Sequence, residues 1–200
     1  MKNFLLKVIN KLLRSSLPPA RYAVKLKRKY RLKLFKQSDK KVLEICGGIM
    51  PVSPENINVD IMDDPKVDII ADLHNQLPFE DNSIDKIISI ATLMHLGLPD
   101  MRKALVEFCR ILKAGGTLEI GIPSLEKIFD YYKKNGLDDT CVRHLHGAQK
   151  SEFDIHLCVM DFKRIKQELA GLGFGEAEEA TYDFPTQDGR FYMKINAKKI

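Results

Sequence analysis

Residues 41–60, KVLEICGGIMPVSPENINVD, decide the fold of this chain. The stretch begins with an apolar run over Val42–Ile45, turns at the pair Gly47-Gly48, and resumes as a second apolar run that ends in Asp60. This order is typical of neighbouring strands in an open α/β sheet, which binds ligands beyond the carboxyl ends of its strands. Glycine in the turn permits a close approach of the backbone to a ligand. The terminal carboxylate is suited to accept hydrogen bonds from ribose hydroxyls.

The connection between these two strands is short. About ten residues separate the runs, and Pro51 and Pro54 are among them, whereas a parallel crossover that carries a helix needs a dozen residues or more. The segment 62–66, which precedes a third apolar run over 67–71, is shorter still. We therefore expect reduced helices around strands 1–3, and we expect the basic N-terminal helices to cover part of the exposed flank.

The remaining sequence alternates between strand and helix patterns. The predicted elements are a strand over 84–90, a helix over 100–112, a strand over 117–122, helices over 124–132 and 161–170, and a closing antiparallel pair over 174–183 and 191–197. The weakly periodic region 137–158 is interpreted as a lid. The sequence thus predicts an α/β, Rossmann-like fold with a seven-stranded, mainly parallel sheet whose last strand is antiparallel.

Charge is divided unevenly along the chain. Residues 1–37 contain twelve Lys or Arg and no Asp or Glu, which leaves 20 basic and 27 acidic residues in the rest of the chain. Two amphipathic helices are predicted in this basic region, over 1–17 and 20–36, and the apolar stripe assigned to the second is Tyr22, Leu26, Tyr30 and Leu34. We predict a basic helical arm over 1–37 and an α/β domain over 38–200.

The basic arm bears on partners and location. A basic amphipathic helix suits an anionic membrane surface. The alternative is that both helices pack on the domain and expose an ordinary basic face to solvent. Nucleic acid is disfavoured, because the acidic body carries no basic patch interleaved with aromatic residues. No apolar stretch approaches the ~20 residues that span a bilayer, and unpaired cysteine spacing fits a reducing cytoplasm. We expect a cytoplasmic protein, with peripheral membrane attachment through residues 1–37 as an open alternative.

Several motifs, in order, resemble the class I S-adenosylmethionine-dependent methyltransferases, in particular the small, shortened type associated with polysaccharide and glycolipid biosynthesis. They are Glu44-Ile45-Cys46-Gly47-Gly48, Asp60 within INVDI, Asp72 within IIADL, the segment LPFEDNSIDKIIS over 77–89, and the turn KAGGTLEIGIPS over 113–124. The late pattern of His146-Gly147, Asp154-x-His156 and Gly171 to Phe174 also resembles that subgroup. The resemblance covers residues 41–174.

The resemblance implies S-adenosylmethionine as the cofactor and methyl transfer to a small-molecule or glycan-type acceptor. The residues that it places at the cofactor are Glu44, Cys46, Gly47, Gly48, Asp60, Asp72 and, in the loop after the fourth strand, Ala91. Cys46 stands where the family usually has glycine. The alternatives left open are a non-catalytic methyltransferase-like binding module and a nucleic-acid methyltransferase.

Histidines are the candidate catalytic residues. Methyl transfer mainly needs orientation of the reactants, and a hydroxyl acceptor is helped by a general base, for which His is the usual choice. His95 follows the fourth strand near the expected methyl end, and His146 and His156 lie on the lid. Structural hydrogen bonding is the alternative role for each. Cysteines and histidines cluster over 141–158, but their spacing is not typical of zinc sites, so no metal is predicted.

Overall fold

A computed structural model describes residues 19–175, 177–185 and 188–200. The elements are α1 (Pro19–Lys36), β1 (Val42–Ile45), β2 (Ile57–Asp60), β3 (Ile69–Ile70), β4 (Ile84–Ile90), a 3₁₀ turn (Leu93–His95), α2 (Leu98–Ile111), β5 (Leu112–Pro123), α3 (Leu125–Asn135), α4 (Asp139–His146), α5 (Phe162–Ala170), β6 (Glu178–Ala180) and β7 (Tyr192–Lys198). The helix predicted over 1–17 lies outside the described residues. In the described ranges, no helix has both the length and the apolar character needed to cross a membrane.

The seven strands form one sheet in the order β3-β2-β1-β4-β5-β7-β6. All neighbours from β3 to β5 are parallel, and β7 is antiparallel to both β5 and β6. The prediction of a mainly parallel sheet closed by an antiparallel strand is confirmed. Because the strand order reverses between β1 and β4, the crevice at their carboxyl ends is where an open α/β sheet binds its ligand.

An apolar core covers the centre of the sheet. In β4 the side chain of Ile87 is inaccessible to solvent, as are Leu105, Phe108 and Ile111 on the inner face of α2. Burial of each such side chain contributes about 1.5–3 kcal/mol to folding. This rigid centre fixes the positions of the loops that follow β1, β2 and β4.

The crossovers around β1, β2 and β3 carry no helix, as predicted. Instead α1 lies along this flank and is bound to it by two arginines. Arg31 Nε donates to Asp68 Oδ1 at 2.6 Å, and the same guanidinium donates to the carbonyl oxygens of Pro54 and Asn56. Arg28 donates to Asp63 at 2.8 Å. The carboxylate of Asp68 is almost fully buried, so its charge-assisted bond to Arg31 is stronger than a surface ion pair.

The apolar stripe predicted for α1 is wrong in its first half. Tyr22 is 69% exposed and Leu26 is 43% exposed, whereas Ala23 is buried. The face toward the sheet instead carries Arg28 and Arg31, because the crossovers present carboxylates and carbonyl oxygens that need donors. The predicted division at residue 37 stays a prediction.

Four further element predictions need correction. The helix α2 begins at Leu98 with Gly97 as its N-cap, and Asp100 lies inside its first turn, because proline in the first turn favours that earlier start. The strand β5 begins at Leu112 and runs through the glycines expected to precede it. The lid contains the helix α4, and β6 is confined to three residues. The N-caps of α3 and α5 are Ser124 and Asp161, whose side chains accept a hydrogen bond from the backbone N–H of the third residue of each helix.

Candidate cofactor and acceptor site

The turn after β1 has a backbone conformation that favours glycine. Cys46 and Gly48 have φ values of 55° and 52°, in the left-handed region that residues with a Cβ rarely adopt. A Cβ on Gly47 would lie 2.7 Å from Asn58 Oδ1 and 2.9 Å from Glu44 Oε1. Gly47 is therefore needed for close packing of the turn on β2, while Cys46 occupies a position suited to glycine.

The side chain of Glu44 binds the crossover between β1 and β2 and does not face solvent. Its buried carboxylate accepts hydrogen bonds from the backbone N–H of Val52 and from Asn56 Nδ2. Burial raises the pKa of Glu44, and the bonds from the crossover oppose that rise. Glu44 thus orients the turn that precedes Val52, which supports an indirect role in the predicted cofactor site.

Asp60 joins the tips of β1 and β2. Its Oδ2 accepts from Gly48 N at 2.9 Å, and its Oδ1 accepts from Met62 N at 3.0 Å. A carboxylate has about four acceptor positions, so each oxygen retains capacity for a ribose hydroxyl. Asp60 and Gly48 are therefore brought together as the sequence predicts.

Asp72 lies beyond β3, at the outer end of the crevice. It accepts from the backbone N–H of His74 at 2.9 Å and from the Nδ1 of the same residue at 2.7 Å. These bonds hold the pKa of Asp72 below its usual range. Asp72 follows β3, which is the edge strand on this side of the sheet; its contact with the cofactor stays a prediction.

The loop after β4 completes the floor of the crevice. Ala91 has a φ of 52°, and its N–H donates to Gly121 O at 2.8 Å. The hydroxyl of Thr92 donates to Ile45 O at 3.2 Å, which ties this loop to the end of β1. The sequence analysis missed Thr92; the available signal was a small polar residue directly after an apolar strand. Burial, with the nearby charge of Asp60, raises the pKa of Cys46 to about 12, so its thiol is neutral.

His95 and His156 lie together above the end of β4. The Nδ1 of His95 is 3.0 Å from Ile155 O, and the Nδ1 of His156 is 2.9 Å from His144 O. A carbonyl oxygen only accepts, so each Nδ1 carries the proton and each neutral ring has an unprotonated Nε2. The two rings meet edge-to-face with centroids 5.2 Å apart.

The three histidines of the lid differ in role. Burial lowers the pKa of His156 and that of His144, which favours neutral rings. His144 stacks on Phe191 with centroids 4.0 Å apart, a packing role that the sequence did not indicate. His146 is exposed, and its carbonyl accepts from His156 N at 3.1 Å. The structure therefore brings all three predicted catalytic histidines into one region, with His146 joined through its backbone.

The lid closes on itself at Gly147. This residue has a φ of 80°, and a Cβ there would lie 2.2 Å from Asp154 O. Leu157 N donates to Met94 O at 2.7 Å, which attaches the lid to the 3₁₀ turn. Gly147 is thus required for the loop that places His156 beside His95.

Metal ligation has no support in the described ranges. Among residues 19–175, 177–185 and 188–200, no group of three or more His, Cys, Asp or Glu side chains is arranged to hold a metal ion.

The strand order, the glycine turn after β1 and the acid at the tip of β2 define the Rossmann-like architecture of class I methyltransferases. A family model described as a methyltransferase domain matches residues 49–120. The matched segment includes Asp60, Asp72 and Ala91 and begins directly after the glycine turn. A comparison with curated proteins gives no match.

Solved structures with the same fold include methyltransferases. A S-adenosylmethionine-dependent methyltransferase from Methanosarcina mazei is 17% identical, with a TM-score of 0.59 over 84% of this chain and 96% of that one. One from Thermotoga maritima is 21% identical, with a TM-score of 0.57 over 86% of this chain and 89% of that one. Phosphoethanolamine N-methyltransferase 2 of Haemonchus contortus, in complex with S-adenosyl-L-methionine, is 16% identical, with a TM-score of 0.54 over 86% of this chain and 52% of that one.

The match of residues 49–120 to a methyltransferase domain agrees with the fold that this chain shares with these structures. The Haemonchus contortus protein among them is in complex with S-adenosyl-L-methionine. The carboxylate of Asp60 beside the turn at Gly48 fits this cofactor, because it offers acceptors for a ribose next to backbone with little side-chain bulk.

Proposed function

We propose that this protein transfers the methyl group of S-adenosylmethionine to a hydroxyl of a small-molecule or glycan-type acceptor, with His95 as the general base. The observation that carries the proposal is the hydrogen bond from His95 Nδ1 to Ile155 O. It leaves Nε2 of the neutral ring as an acceptor beside the carboxyl end of β4. A hydroxyl loses its proton as the methyl group bonds to its oxygen, and Nε2 is the group that takes that proton.

The cofactor residues are assigned by position around the crevice. The turn at Cys46, Gly47 and Gly48 would contact the methionine end, Asp60 the ribose hydroxyls, Asp72 the adenine edge and Ala91 the region of the methyl group; Glu44 would act by holding the turn. Ile61 and Met62, directly after Asp60, are about half exposed and offer an apolar surface for adenine. S-adenosylmethionine supplies a methyl group already activated by its sulfonium, so the protein contributes mainly orientation.

The lid would place the acceptor and support the base. His156 packs against His95 and stays neutral because burial lowers its pKa. A neutral neighbour leaves His95 free to accept a proton without repulsion from an adjacent cation. His146, exposed on the same lid, is proposed to contact the acceptor.

The arm over 1–37 is proposed to hold the protein at an anionic membrane surface of the cytoplasm. In α1, Arg21, Lys25 and Lys29 are exposed and the helix contains no acidic residue, which supports this proposal. Nucleic acid stays disfavoured as a partner, because acidic residues outnumber basic residues outside the arm.

The alternative is a non-catalytic binding module with the same fold. It is favoured by one observation: both Glu44 and Asp60 already bind backbone of their own crossover loops. Incubation with S-adenosylmethionine labelled in its methyl group and a panel of monosaccharides, nucleotide sugars and phenols separates the two. The proposal expects labelled product that is lost in His95→Asn. Binding of the cofactor without any labelled product from the panel would favour the module.

A further inference from the structure

We infer that Asn58 positions the glycine turn of the cofactor site, and that Arg31 of α1 supports it through Asp68. The glycine turn is the backbone over Cys46–Gly48, and Asn58 lies in β2, two residues before Asp60. This inference rests on the proposed function for the identity of the ligand, S-adenosylmethionine. It assigns a role in the site to a helix that lies along the flank of the sheet.

The side-chain amide of Asn58 binds both glycines of the turn. Its Oδ1 accepts from Gly47 N at 3.1 Å, and its Nδ2 donates to Gly48 O at 2.9 Å. The same Nδ2 donates to Lys66 O at 3.0 Å, so the amide also joins the turn to the segment before β3. An amide can accept from the one group and donate to the other two, whereas a carboxylate has no proton to donate. An apolar side chain of the same shape would leave these backbone groups without their partner.

Asn58 is itself held by a buried acid that α1 neutralises. The N–H of Asn58 donates to Asp68 Oδ2 at 3.1 Å, and its carbonyl accepts from Asp68 N at 2.9 Å. The other oxygen of Asp68 accepts from Arg31 Nε at 2.6 Å. A chain of hydrogen bonds thus leads from α1 to the glycine turn. Asn58 and Asp68 are both buried, and in such surroundings hydrogen bonds are stronger than at the surface and polarise one another.

Arg31 also holds the far end of the crossover that begins with the glycine turn. Its guanidinium donates to Pro54 O and Asn56 O. Asn56 donates from Nδ2 to Glu44, whose carboxylate also accepts from Val52 N. Residues 46–56 contain no helix, so these side-chain bonds satisfy backbone groups that a helix would pair within itself. The helix α1 therefore supports the crossover at a place where a parallel connection usually carries its own helix.

The conformation of the turn explains why this support bears on the cofactor. Cys46 has a φ of 55°, a conformation that is costly for a residue with a Cβ and persists only where the surroundings fix it. In the proposed function the turn meets the methionine end of the cofactor. A turn released from Asn58 would adopt other conformations, and the cofactor would have to order it again on binding. The affinity is then reduced by the fraction of molecules whose turn is ordered.

Calorimetric titration of the full chain with S-adenosylmethionine measures the role of Asn58. Asn58→Ala should raise Kd about tenfold, because two hydrogen bonds to the turn are lost. The titration is made at a temperature at which circular dichroism shows each variant to be folded, so a loss of stability alone leaves Kd unchanged. Arg31→Lys keeps a positive charge beside Asp68 but loses the planar fork of donors. This milder variant should raise Kd about threefold.

Arg28→Lys is the matched control for Arg31→Lys. Arg28 lies three residues earlier on α1 and donates to residues of the connection between β2 and β3, which are Asp63, Asp64 and Val67. The same loss of a guanidinium from the same helix should therefore leave Kd unchanged. Because both substitutions keep the charge, this pair of variants decides the question even if Asn58→Ala does not fold.

Hydrogen exchange gives a readout that does not need the cofactor. In the full chain alone, Arg31→Lys should speed exchange of the N–H groups of Gly47 and Val52, whose bonds are to Asn58 and Glu44. Arg28→Lys should leave both rates unchanged, and the N–H of Phe108 in the core is the internal reference for global unfolding.

Two results would overturn the inference. One is an unchanged Kd in folded Asn58→Ala, and the other is equal behaviour of the two arginine variants in either measurement. Failure of the unmodified protein to bind S-adenosylmethionine would count against the proposed function instead. The exchange comparison would still decide whether α1 holds the glycine turn.

Discussion

The imidazole of His95 lies edge-to-face against that of His156, with ring centroids 5.2 Å apart, and each ring donates its Nδ1 proton to a carbonyl of the lid. The lid therefore fixes the tautomer of the proposed base as well as covering it. Both rings keep Nε2 available at the end of β4, where an acceptor would meet the methyl group.

His95→Asn should lower the rate of methyl transfer by roughly 100- to 10,000-fold, the usual contribution of a general base. The amide of asparagine can still donate to Ile155 O, so the thermal stability and the affinity for S-adenosylmethionine should change little. His146→Asn, on the same lid but joined through its backbone, should cost less than about tenfold. A His95→Asn rate equal to that of the unmodified protein would remove His95 from the mechanism.

Gly147→Ala should open the lid. A Cβ at this position would lie 2.2 Å from Asp154 O, so backbone must move, and methyl transfer should fall while cofactor binding persists. Gly136→Ala is the matched control, because Gly136 has a similar φ of 78° but nothing within 4 Å of the added Cβ.

Urea unfolding measures the difference between these two glycine variants. Gly136 has φ 78° and ψ −172°, and Gly147 has φ 80° and ψ 172°. This backbone conformation costs a residue with a Cβ about 1–3 kcal/mol, and we expect Gly147→Ala to cost more than that and Gly136→Ala no more. Equal losses in the free energy of unfolding would show that the contact with Asp154 is not what requires glycine.

Cys46→Gly should be tolerated despite the loss of a largely buried side chain. The φ of 55° at Cys46 costs about 1–2 kcal/mol for a residue with a Cβ, and removal of that strain offsets the lost packing. Cys46→Val, β-branched in the same conformation, should be clearly less stable than either. The check is the free energy of unfolding of the three proteins; a glycine variant as unstable as the valine variant would argue against strain at this turn.

Stability should fall as the pH drops below the ordinary His pKa of about 6.5. Burial lowers the pKa of His156 in the folded protein, so the unfolded chain binds the proton first and the stability present above pH 6.5 is lost as the pH falls. His156→Gln should reduce the difference in unfolding free energy between pH 7.5 and pH 5.5. Glu44, whose pKa is raised, acts with the opposite sign in both proteins, so the comparison isolates His156. An identical pH dependence would contradict this assignment.

Local sequence patterns predict the helices and strands whose burial and length are determined by their own residues. The apolar runs of β1 and β4 and the prolines between β1 and β2 are of this kind, and the shortened crossovers follow from them. The inward face of α1 differs from its predicted apolar stripe because its hydrogen-bond partners, such as Asp68 and the carbonyl of Pro54, come from distant crossovers. The early start of β5 has the same origin, since Leu112 is a strand residue through its pairing with Ile84.

The candidate site likewise contains residues that local sequence predicts and contacts that it does not. Asp60 and the glycine turn could be predicted because both follow strand ends directly. The contact of His95 with His156 depends on the closure of the lid at Gly147, and no local pattern carries that information. The bond of Thr92 to the end of β1 also depends on the tertiary fold, although a small polar residue after an apolar strand is a local signal for it.

Titration calorimetry with S-adenosylmethionine tests the central claim most directly, that the turn at Cys46–Gly48 and Asp60 hold this cofactor. We predict saturable heat with the unmodified protein and a loss of affinity of roughly 10- to 100-fold in Asp60→Ala, as expected for charge-assisted hydrogen bonds. The absence of heat at millimolar ligand with folded protein would contradict the claim and leave only the shared fold.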